Sequence, residues 1–206
     1  MMSRMGTGLM QETGAIKLPP PETEGGMPLM QALKARHSTR TFGSQPLSLQ
    51  VLSNLLWAAS GVNRSDTGQR TAPSAHDWRE IDVVVTSAEG AYRYGPSTHM
   101  LTRVAAGDLR HLTGVQDFVA LAPVNLVYVA NLDRMNEADA EDKAFYSATD
   151  TGFIAQNVYL YCASAGLAAV VRGLVDREAL GVALGLDRHQ HVTLAQSVGY
   201  PVGSAG

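Results

Sequence analysis

The sequence predicts a globular protein in which helices and strands are mixed without the regular alternation of a doubly wound fold. Hydrophobic residues make up 45% and charged residues 17% of the 206 residues, a balance typical of a chain that folds around a core. Helical and strand-like patterns follow one another irregularly, and no GxGxxG turn marks a dinucleotide-binding unit. One domain is expected, because this length suffices for a single sizeable core.

The N-terminal segment differs in composition from the rest of the chain. Residues 1–26 are rich in Gly, Pro, Met and Glu and show no sustained amphipathic period. We therefore expect an extended arm over residues 1–26, of the kind that often wraps a partner subunit, and a single domain over residues 27–206.

Four helices are predicted from apolar stripes, N-capping residues and glycine stops. They run from Pro28 into the basic segment at 36–40, from the N-cap Ser48 to Gly61, from Glu137 to Ala165, and from the N-cap Asp176 to about Leu184. The second half of the long third helix is apolar, so we expect it to be central.

Strands are predicted where short apolar runs lie between turn residues. They are Ile81 to Val85 and Ala91 to Tyr94 as a hairpin, Val124 to Ala130 as a buried strand, Ala168 to Val171, and Val192 to Val198. The polar stretch 62–80 between a helix and the hairpin is long for a connection inside a compact domain, and such loops usually have a function.

Composition excludes several classes of function. A net charge of -3 and a pI near 6.0 give no electrostatic support for binding nucleic acid or an acidic membrane. Cys162 is the only cysteine, so no internal disulfide or thiolate-rich metal site can form. We expect no metal site and no membrane span, a cytoplasmic setting, and small-molecule partners.

The strongest local signal is RHSTRTF at residues 36–42. Two guanidinium groups and two hydroxyls lie within five residues around a backbone turn, and arginine offers a fixed fork of donors to phosphate oxygens. The alternative is a solvated basic turn, which is the commoner outcome for an isolated RxSxR pattern. The motif alone leaves the choice open.

RHSTRTF followed by the SLQVLSNLLWAASGVNR helix resembles the opening of the nitroreductase family, in its compact branch, which includes the SagB/ThcOx-type oxidoreductases. RTAPSAHDWREIDVVV resembles the family's Pro-Ser-small-X-Asn loop and the hairpin after it. FIAQNVYLYCASAGLAAVVRG resembles its central helix, glycine stop and flavin-facing strand, and AQSVGYP has the form of its closing segment. The ordered set covers about residues 29 to 201 and is more specific than any one motif.

The resemblance implies an α+β fold with a central, mostly antiparallel sheet flanked by helices. It also implies an intertwined homodimer that pairs through long helices and binds FMN in a cleft built from both subunits. By position, Arg36 and Ser38 match residues that hold the phosphate and ribityl end. Arg40 matches a basic residue near the pyrimidine edge of the ring, and His37 matches a position that contacts the cofactor through main chain or side chain.

Pro73, Ser74 and Ala75 match the family loop that crosses near the flavin ring, and Asp77 stands where the family usually has Asn. An Asn amide both donates and accepts hydrogen bonds, whereas an ionised Asp only accepts. Asp77 is expected either to accept a hydrogen bond from flavin N3 or to face Arg79 or solvent.

The segment from Gly166 to Gly173 matches the strand whose backbone approaches flavin N5. The donor is expected between Val170 and Arg172, with Val171 and Gly173 also in contact. The Arg172 side chain either turns toward the cofactor or the dimer partner or lies at the surface. Val202 and Gly203 stand where many relatives carry basic residues, so the phosphate site is expected to rely on arginines 36, 40 and 172 or to be weaker.

The resemblance implies ping-pong transfer of reducing equivalents from NAD(P)H to a nitroaromatic, quinone or similar conjugated acceptor, with no catalytic side chain because the chemistry belongs to the flavin. Three alternatives stay open. One is an FMN-dependent dehydrogenase that oxidises a ring or peptide substrate. Another is a non-catalytic flavin-binding redox protein, suggested by Asp77 and by the missing C-terminal basic residue. The third is a nucleotide-binding module without flavin.

Overall fold

The computed structural model describes residues 14–203, so the first half of the predicted arm lies outside the described residues. The helices are α1 (Leu29–Ala35), α2 (Leu49–Ser60), α3 (Ala140–Ser164) and α4 (Arg177–Leu184). The strands are β1 (Ala15–Lys17), β2 (Val62–Arg64), β3 (Gln69–Arg70), β4 (Ile81–Ser87), β5 (Gly90–Gly95), β6 (Met100–Ala106), β7 (Val124–Asn131), β8 (Ala168–Arg172) and β9 (Gln190–Gly199).

Seven strands form one sheet in the order β1-β6-β5-β4-β7-β9-β8, with every neighbouring pair antiparallel. The predicted hairpin is β4–β5, in which Val85 pairs with Tyr92 and Ser87 with Gly90. Strands β2 and β3 form a separate two-stranded hairpin. The expectation of an α+β fold with a mostly antiparallel sheet flanked by helices is confirmed.

The two faces of the sheet carry two separate cores. On β4, Val83 and Val85 pack against α2 and α3, whereas Val84 packs on the opposite face with Leu180 and Leu184 of α4. This division follows from the strand itself, because successive side chains point to opposite faces. The α2–α3 face holds the larger core and supports the segments that are predicted to bind the cofactor.

Helix α3 lies along the sheet and organises the rest of the fold. It begins at the N-cap Asp139, whose side chain accepts a hydrogen bond from the amide of Asp142, and it buries a continuous stripe on one side. Two polar residues, Asp150 and Tyr159, belong to that stripe. They are nine positions apart, which places them about 13 Å from each other along the helix axis and roughly 180° apart around it. One therefore lies at each edge of the buried stripe.

Strands β1, β2, β3 and β6 escaped the sequence analysis. Strand β6 is mostly exposed, so it lacks the apolar alternation by which half-buried strands are identified. Strand β1 lies within the predicted arm and pairs with β6, where Ile16 is opposite Leu101. The next part of the arm packs on this chain's own α2, since Ser53 Oγ donates to the carbonyl of Pro19 at 2.6 Å.

Within residues 14–203, every helix is too short or too polar to span a bilayer.

Two leucines of α2 provide a matched test of this packing. Leu56 is fully buried, whereas Leu49 is 51% exposed. We expect Leu56→Ala to lower the free energy of unfolding by about 2–5 kcal/mol, because it leaves a cavity under the sheet, and Leu49→Ala to lower it by less than about 1 kcal/mol. Urea denaturation followed by circular dichroism measures both. Equal losses for the two variants would contradict the described orientation of α2.

Candidate functional site

The basic segment after α1 docks between α3 and β8. Arg36 caps the helix with ψ 121°, so the chain leaves α1 in an extended conformation. The amide of Thr39 donates to the carbonyl of Ala169 on β8 at 2.9 Å, and Ser38 Oγ lies 2.8 Å from the hydroxyl of Tyr159 on α3. The segment is therefore held against both elements.

The cationic groups of this segment remain available for a ligand. The guanidinium of Arg36 lies 5.3 Å from the centroid of the Tyr159 ring, a distance typical of a cation–π contact. Among residues 14–203, neither Arg36 nor Arg40 forms an ion pair, and Arg40 is exposed. His37 is exposed, and its Nδ1 lies 2.8 Å from the carbonyl of Ala35. Two unneutralised cations beside a hydroxyl form a donor set suited to phosphate.

Tyr159 connects the predicted segments, and the sequence analysis did not identify it. Its hydroxyl accepts a hydrogen bond from the amide of Val171 at 2.8 Å and lies at the same distance from Ser38 Oγ. A phenol has one proton to donate, so after accepting from Val171 it can still donate to Ser38. A tyrosine within an apolar helical run is most simply interpreted as packing, which is why the pattern gave no signal.

Strand β8 is an edge strand, so alternate backbone groups point away from β9. The carbonyl of Ala169 and the amide of Val171 bond to Thr39 and Tyr159, so they point outward. By alternation, the backbone groups of Val170 and Arg172 point toward β9. By the same alternation, Gly173 directs its amide outward just beyond the strand. The structure thus makes Gly173 a better candidate for an amide donor than Val170 or Arg172.

The Arg172 side chain adopts neither of the expected orientations. It is 6% exposed and donates to the carbonyl of Thr113 at 2.6 Å, and to Asn125 Oδ1 and Ser197 Oγ at 2.9 Å each. Burial lowers the pKa of this guanidinium to about 10. Because a buried arginine needs acceptors for its donors, Arg172 turns into the protein, and its side chain does not complete a phosphate site.

The loop that contains Pro73, Ser74 and Ala75 is anchored below by two carboxyl groups. The amide of Ala75 donates to Asp150 Oδ2 at 2.9 Å, and Ser74 Oγ donates to Glu80 Oε2 at 3.2 Å. The loop then passes through left-handed conformations at His76, Asp77 and Arg79, with φ of 50°, 55° and 52°. Each costs roughly 1 kcal/mol or more for such residues, so the anchors hold the loop in a shape it would not adopt alone.

Asp77 faces Arg79, as one of the two expectations for it stated. Arg79 donates from Nε and Nη2 to the two carboxylate oxygens of Asp77, both at 2.7 Å. The hydrogen bonds from Arg79 lower the pKa of Asp77. Asp77 is therefore ionised, and its charge is neutralised by a neighbour rather than directed at a ligand alone.

Beneath this loop, Glu80 and Asp150 form a buried pair of acids that the sequence analysis also missed. Glu80 is 0% exposed and Asp150 2%. Burial, together with the neighbouring carboxylate of Asp150, raises the pKa of Glu80 to about 7. Two adjacent carboxyl groups in a dry site hold a proton more tightly than one in water. Near neutral pH, Glu80 therefore retains a proton that an ordinary glutamate would have lost.

The predicted segments fall into two groups on opposite sides of α3. Residues 36–40 and β8 meet at the Tyr159 edge, whereas the loop at residues 73–77 docks at the Asp150 edge. No hydrogen bond or ion pair between described residues links the 36–40 segment with this loop. Residues 14–203 also contain no cluster of three His, Cys, Asp or Glu residues suited to a metal ion.

The buried acid pair makes stability depend on pH in a defined direction. The pKa of Glu80 is about 4.3 in an unfolded chain and about 7 in the folded protein. The protonated Glu80 therefore contributes its full stabilisation of the folded state below about pH 4.3, and this contribution is lost as the pH rises through about 7. We expect Glu80→Gln to become more stable relative to wild type by up to about 1.4 kcal/mol per pH unit across this window. Urea unfolding at pH 5, 6, 7 and 8 measures the difference.

The matched control is Glu24→Gln, which changes an exposed glutamate and should leave the pH profile of unfolding unchanged. If wild type and the Glu80→Gln variant gave parallel profiles between pH 5 and 8, Glu80 would not hold its proton in the folded state.

Comparison with known proteins gives consistent matches. The model of the nitroreductase family matches residues 33–200. A nitroreductase homologue of Methanocaldococcus jannaschii is 34% identical over 174 residues, which cover 80% of this chain and 86% of that protein. The crystal structure of a nitroreductase homologue of Ralstonia eutropha JMP134 matches with a TM-score of 0.90 and a sequence identity of 46%. The match covers 99% of this chain and 96% of the other.

A more distant structure shares the fold alone. The NADPH:FMN oxidoreductase of Vibrio harveyi, solved in complex with NAD+, is 20% identical with a TM-score of 0.64. The match covers 84% of this chain and 69% of that one. The architecture around the sheet is thus common to chains whose sequences have diverged widely.

Proposed function

Because this chain belongs to the nitroreductase family, we propose that it is an FMN-dependent oxidoreductase. It transfers reducing equivalents from NADH or NADPH to a nitroaromatic, quinone or similar conjugated acceptor. The observation that carries this proposal is the pair of unneutralised arginines, Arg36 and Arg40, beside the Ser38 hydroxyl at the free edge of β8.

These residues suit the anionic end of FMN. Arg36 and Ser38 would hold the phosphate and the ribityl chain, and Arg40 would lie toward the pyrimidine edge of the ring. His37 would contribute main-chain contacts. Val202 and Gly203 offer no cation and the Arg172 side chain is engaged elsewhere, so Arg36 would be the principal cation at the phosphate.

The chemistry that FMN supplies when bound is acceptance of hydride from a nicotinamide and delivery of electrons to a second substrate. This chain's own residues would bind and orient the partners, without an acid or base in the reaction. The outward amide of Gly173 would donate to the ring, and the backbone from Val170 to Arg172 would support that approach. Both substrates would then use the same exposed face in turn.

The division of the site across α3 supports a homodimer. A ligand that touches both residues 36–40 and the loop of Pro73, Ser74, Ala75 and Asp77 would take these segments from different subunits, because within one subunit they lie at opposite edges of α3. Apolar side chains that a partner would cover are exposed on α3 and α1: Phe145, Phe153, Leu29, Met30 and Leu33. Exposed large apolar side chains on these two helices are consistent with such a contact.

Residues 27–206 would form the flavin-binding domain and residues 1–26 its N-terminal extension. With one cysteine that is buried, the protein suits the reducing cytoplasm. Asp77 was one of two reasons to consider a flavin protein without turnover, and its bidentate pairing with Arg79 weakens that reason. The other, the lack of a basic residue at positions 202 and 203, remains.

Absorption spectroscopy tests cofactor and activity together. We expect the protein to retain flavin bands after incubation with FMN and desalting, and to lose them within seconds on anaerobic addition of NADH or NADPH. Retained flavin that neither nucleotide bleaches would favour a dehydrogenase or a non-catalytic flavin protein. Colourless protein after desalting would reject the proposed cofactor.

The phosphate assignment has a separate test in Arg36→Met. We expect this variant to bind FMN about 10- to 100-fold more weakly, because it removes a charge-assisted contact, and to bind riboflavin, which has no phosphate, as wild type does. Fluorescence quenching of each flavin measures the affinities. Lys34→Met is the control, since it removes an exposed charge two residues away. An equal loss of FMN and riboflavin affinity would place the phosphate elsewhere.

A further inference from the structure

A cavity of about 230 Å³ opens beneath the loop at residues 73–77, between the β2–β3 hairpin and α3. Its apolar lining residues are Ala72, Pro73, Ile81 and Ile154. The polar lining includes three arginines and three acids: Arg64, Arg70, Arg79, Asp77, Glu80 and Asp150. Such a mixture is typical of a site that binds a small organic molecule with a charged group.

Arg70 is the unusual member of this lining. It is half-buried, and its guanidinium forms no hydrogen bond or ion pair with any residue of the described chain. The charges around it are already used, because Arg79 is paired with Asp77 at 2.7 Å and Arg134 with Asp82 at 2.9 Å. Burial, followed by the nearby Arg79 and Arg134, lowers the pKa of Arg70. Asp82 and Asp77 oppose this shift, but within residues 14–203 neither pairs directly with the Arg70 guanidinium.

A second cation lies close to Arg70. Arg64, which also lines the cavity, donates from Nη2 to the backbone carbonyl of Arg70 at 3.2 Å. Three arginines therefore face Asp77, Asp150 and Glu80, whose pKa is raised to about 7. Below that pH the positive charges outnumber the negative ones, which favours an anionic ligand.

Glu80, which lines the cavity, provides a second sign of a ligand. It is 0% exposed, and its Oε1 has no well-formed hydrogen bond among the described residues, although the Asp150 carboxyl group is close enough to interact with Glu80. A buried polar atom without a partner is costly, and a polar group on a bound molecule would satisfy it. The apolar lining residues suit the body of that molecule.

We propose that this cavity binds a small aromatic carboxylate, with Arg70 holding the carboxylate and Glu80 Oε1 meeting a polar group on the ring. A planar guanidinium and a planar carboxylate form two parallel hydrogen bonds. Because Pro73, Ser74 and Asp77 belong both to the cavity wall and to the loop proposed to contact the flavin, the carboxylate would be that of the electron acceptor. This role rests on the proposed function, whereas the binding itself does not.

Binding is tested without turnover, by isothermal titration of the FMN-treated protein with benzoate and with benzamide, its neutral counterpart of similar shape. We expect wild type to bind benzoate about 10- to 100-fold more tightly than benzamide. Arg70→Met should abolish this preference and Arg70→Lys, which keeps the charge without the fork, should retain part of it. Arg93→Met, the control, removes an exposed charge on β5 and should leave the preference for benzoate unchanged.

Equal affinity of wild type for benzoate and benzamide, or an unchanged preference in Arg70→Met, would overturn the assignment. Inorganic phosphate that displaces benzoate and binds more tightly than it would also overturn the aromatic carboxylate in favour of a phosphate group.

Turnover separates this inference from the proposed function. We expect kcat/KM to favour 4-nitrobenzoate over 4-nitrobenzamide by about tenfold or more, and Arg70→Met to remove the preference while reduction of the amide continues. Preference for benzoate in binding without reduction of either compound would uphold the cavity and reject the reductase. Equal reduction of both compounds by wild type would uphold the reductase and reject the acceptor role of the cavity.

Discussion

The fold depends above all on the burial of one side of α3 along the central sheet. Thr151 meets Thr193 of β9 at 2.8 Å, and Gln196 Nε2 donates to the carbonyl of Ala155 one turn later. A helix fixed at two successive turns has no freedom to rotate, so the residues at the edges of its buried stripe have fixed positions. Asp150 and Tyr159 are those residues, and each anchors one of the segments from which the proposed site is built.

The arginines show how surroundings assign different tasks to one kind of side chain. A guanidinium stays charged at any ordinary pH, so burial requires acceptors, and Arg172 finds three of them within the core. Within residues 14–203, the guanidinium of Arg36 contacts the face of the Tyr159 ring and forms no ion pair, and Arg70 has neighbours whose charges are already paired. Arg172 therefore stabilises the fold, whereas Arg36 and Arg70 keep their hydrogen-bonding capacity for ligands.

The carboxyl groups divide in the same way. Asp77 departs from the family pattern, yet it is exposed and neutralised by Arg79. Glu80 gives no sequence signal, because a single acid before a strand is commonplace, but it is fully buried next to Asp150. Solvent exposure, and not residue type, makes one an ordinary ionised acid and the other a group that titrates near neutrality. Exposure depends on which elements cover a residue, and no local pattern contains that information.

The sequence by itself determined the four helices, five of the nine strands within residues 14–203, and the family resemblance. Periodic apolar residues, caps and glycine stops placed α2, α3 and α4 and the strands β4, β5, β7, β8 and β9, because these signals are local to each element. Only the tertiary structure decided that Arg172 turns inward, that Tyr159 joins Ser38 to β8, and that Glu80 and Arg70 share one cavity. These features arise between residues far apart in the chain, and their energies depend on burial and charge that exist only once the sheet and α3 have packed.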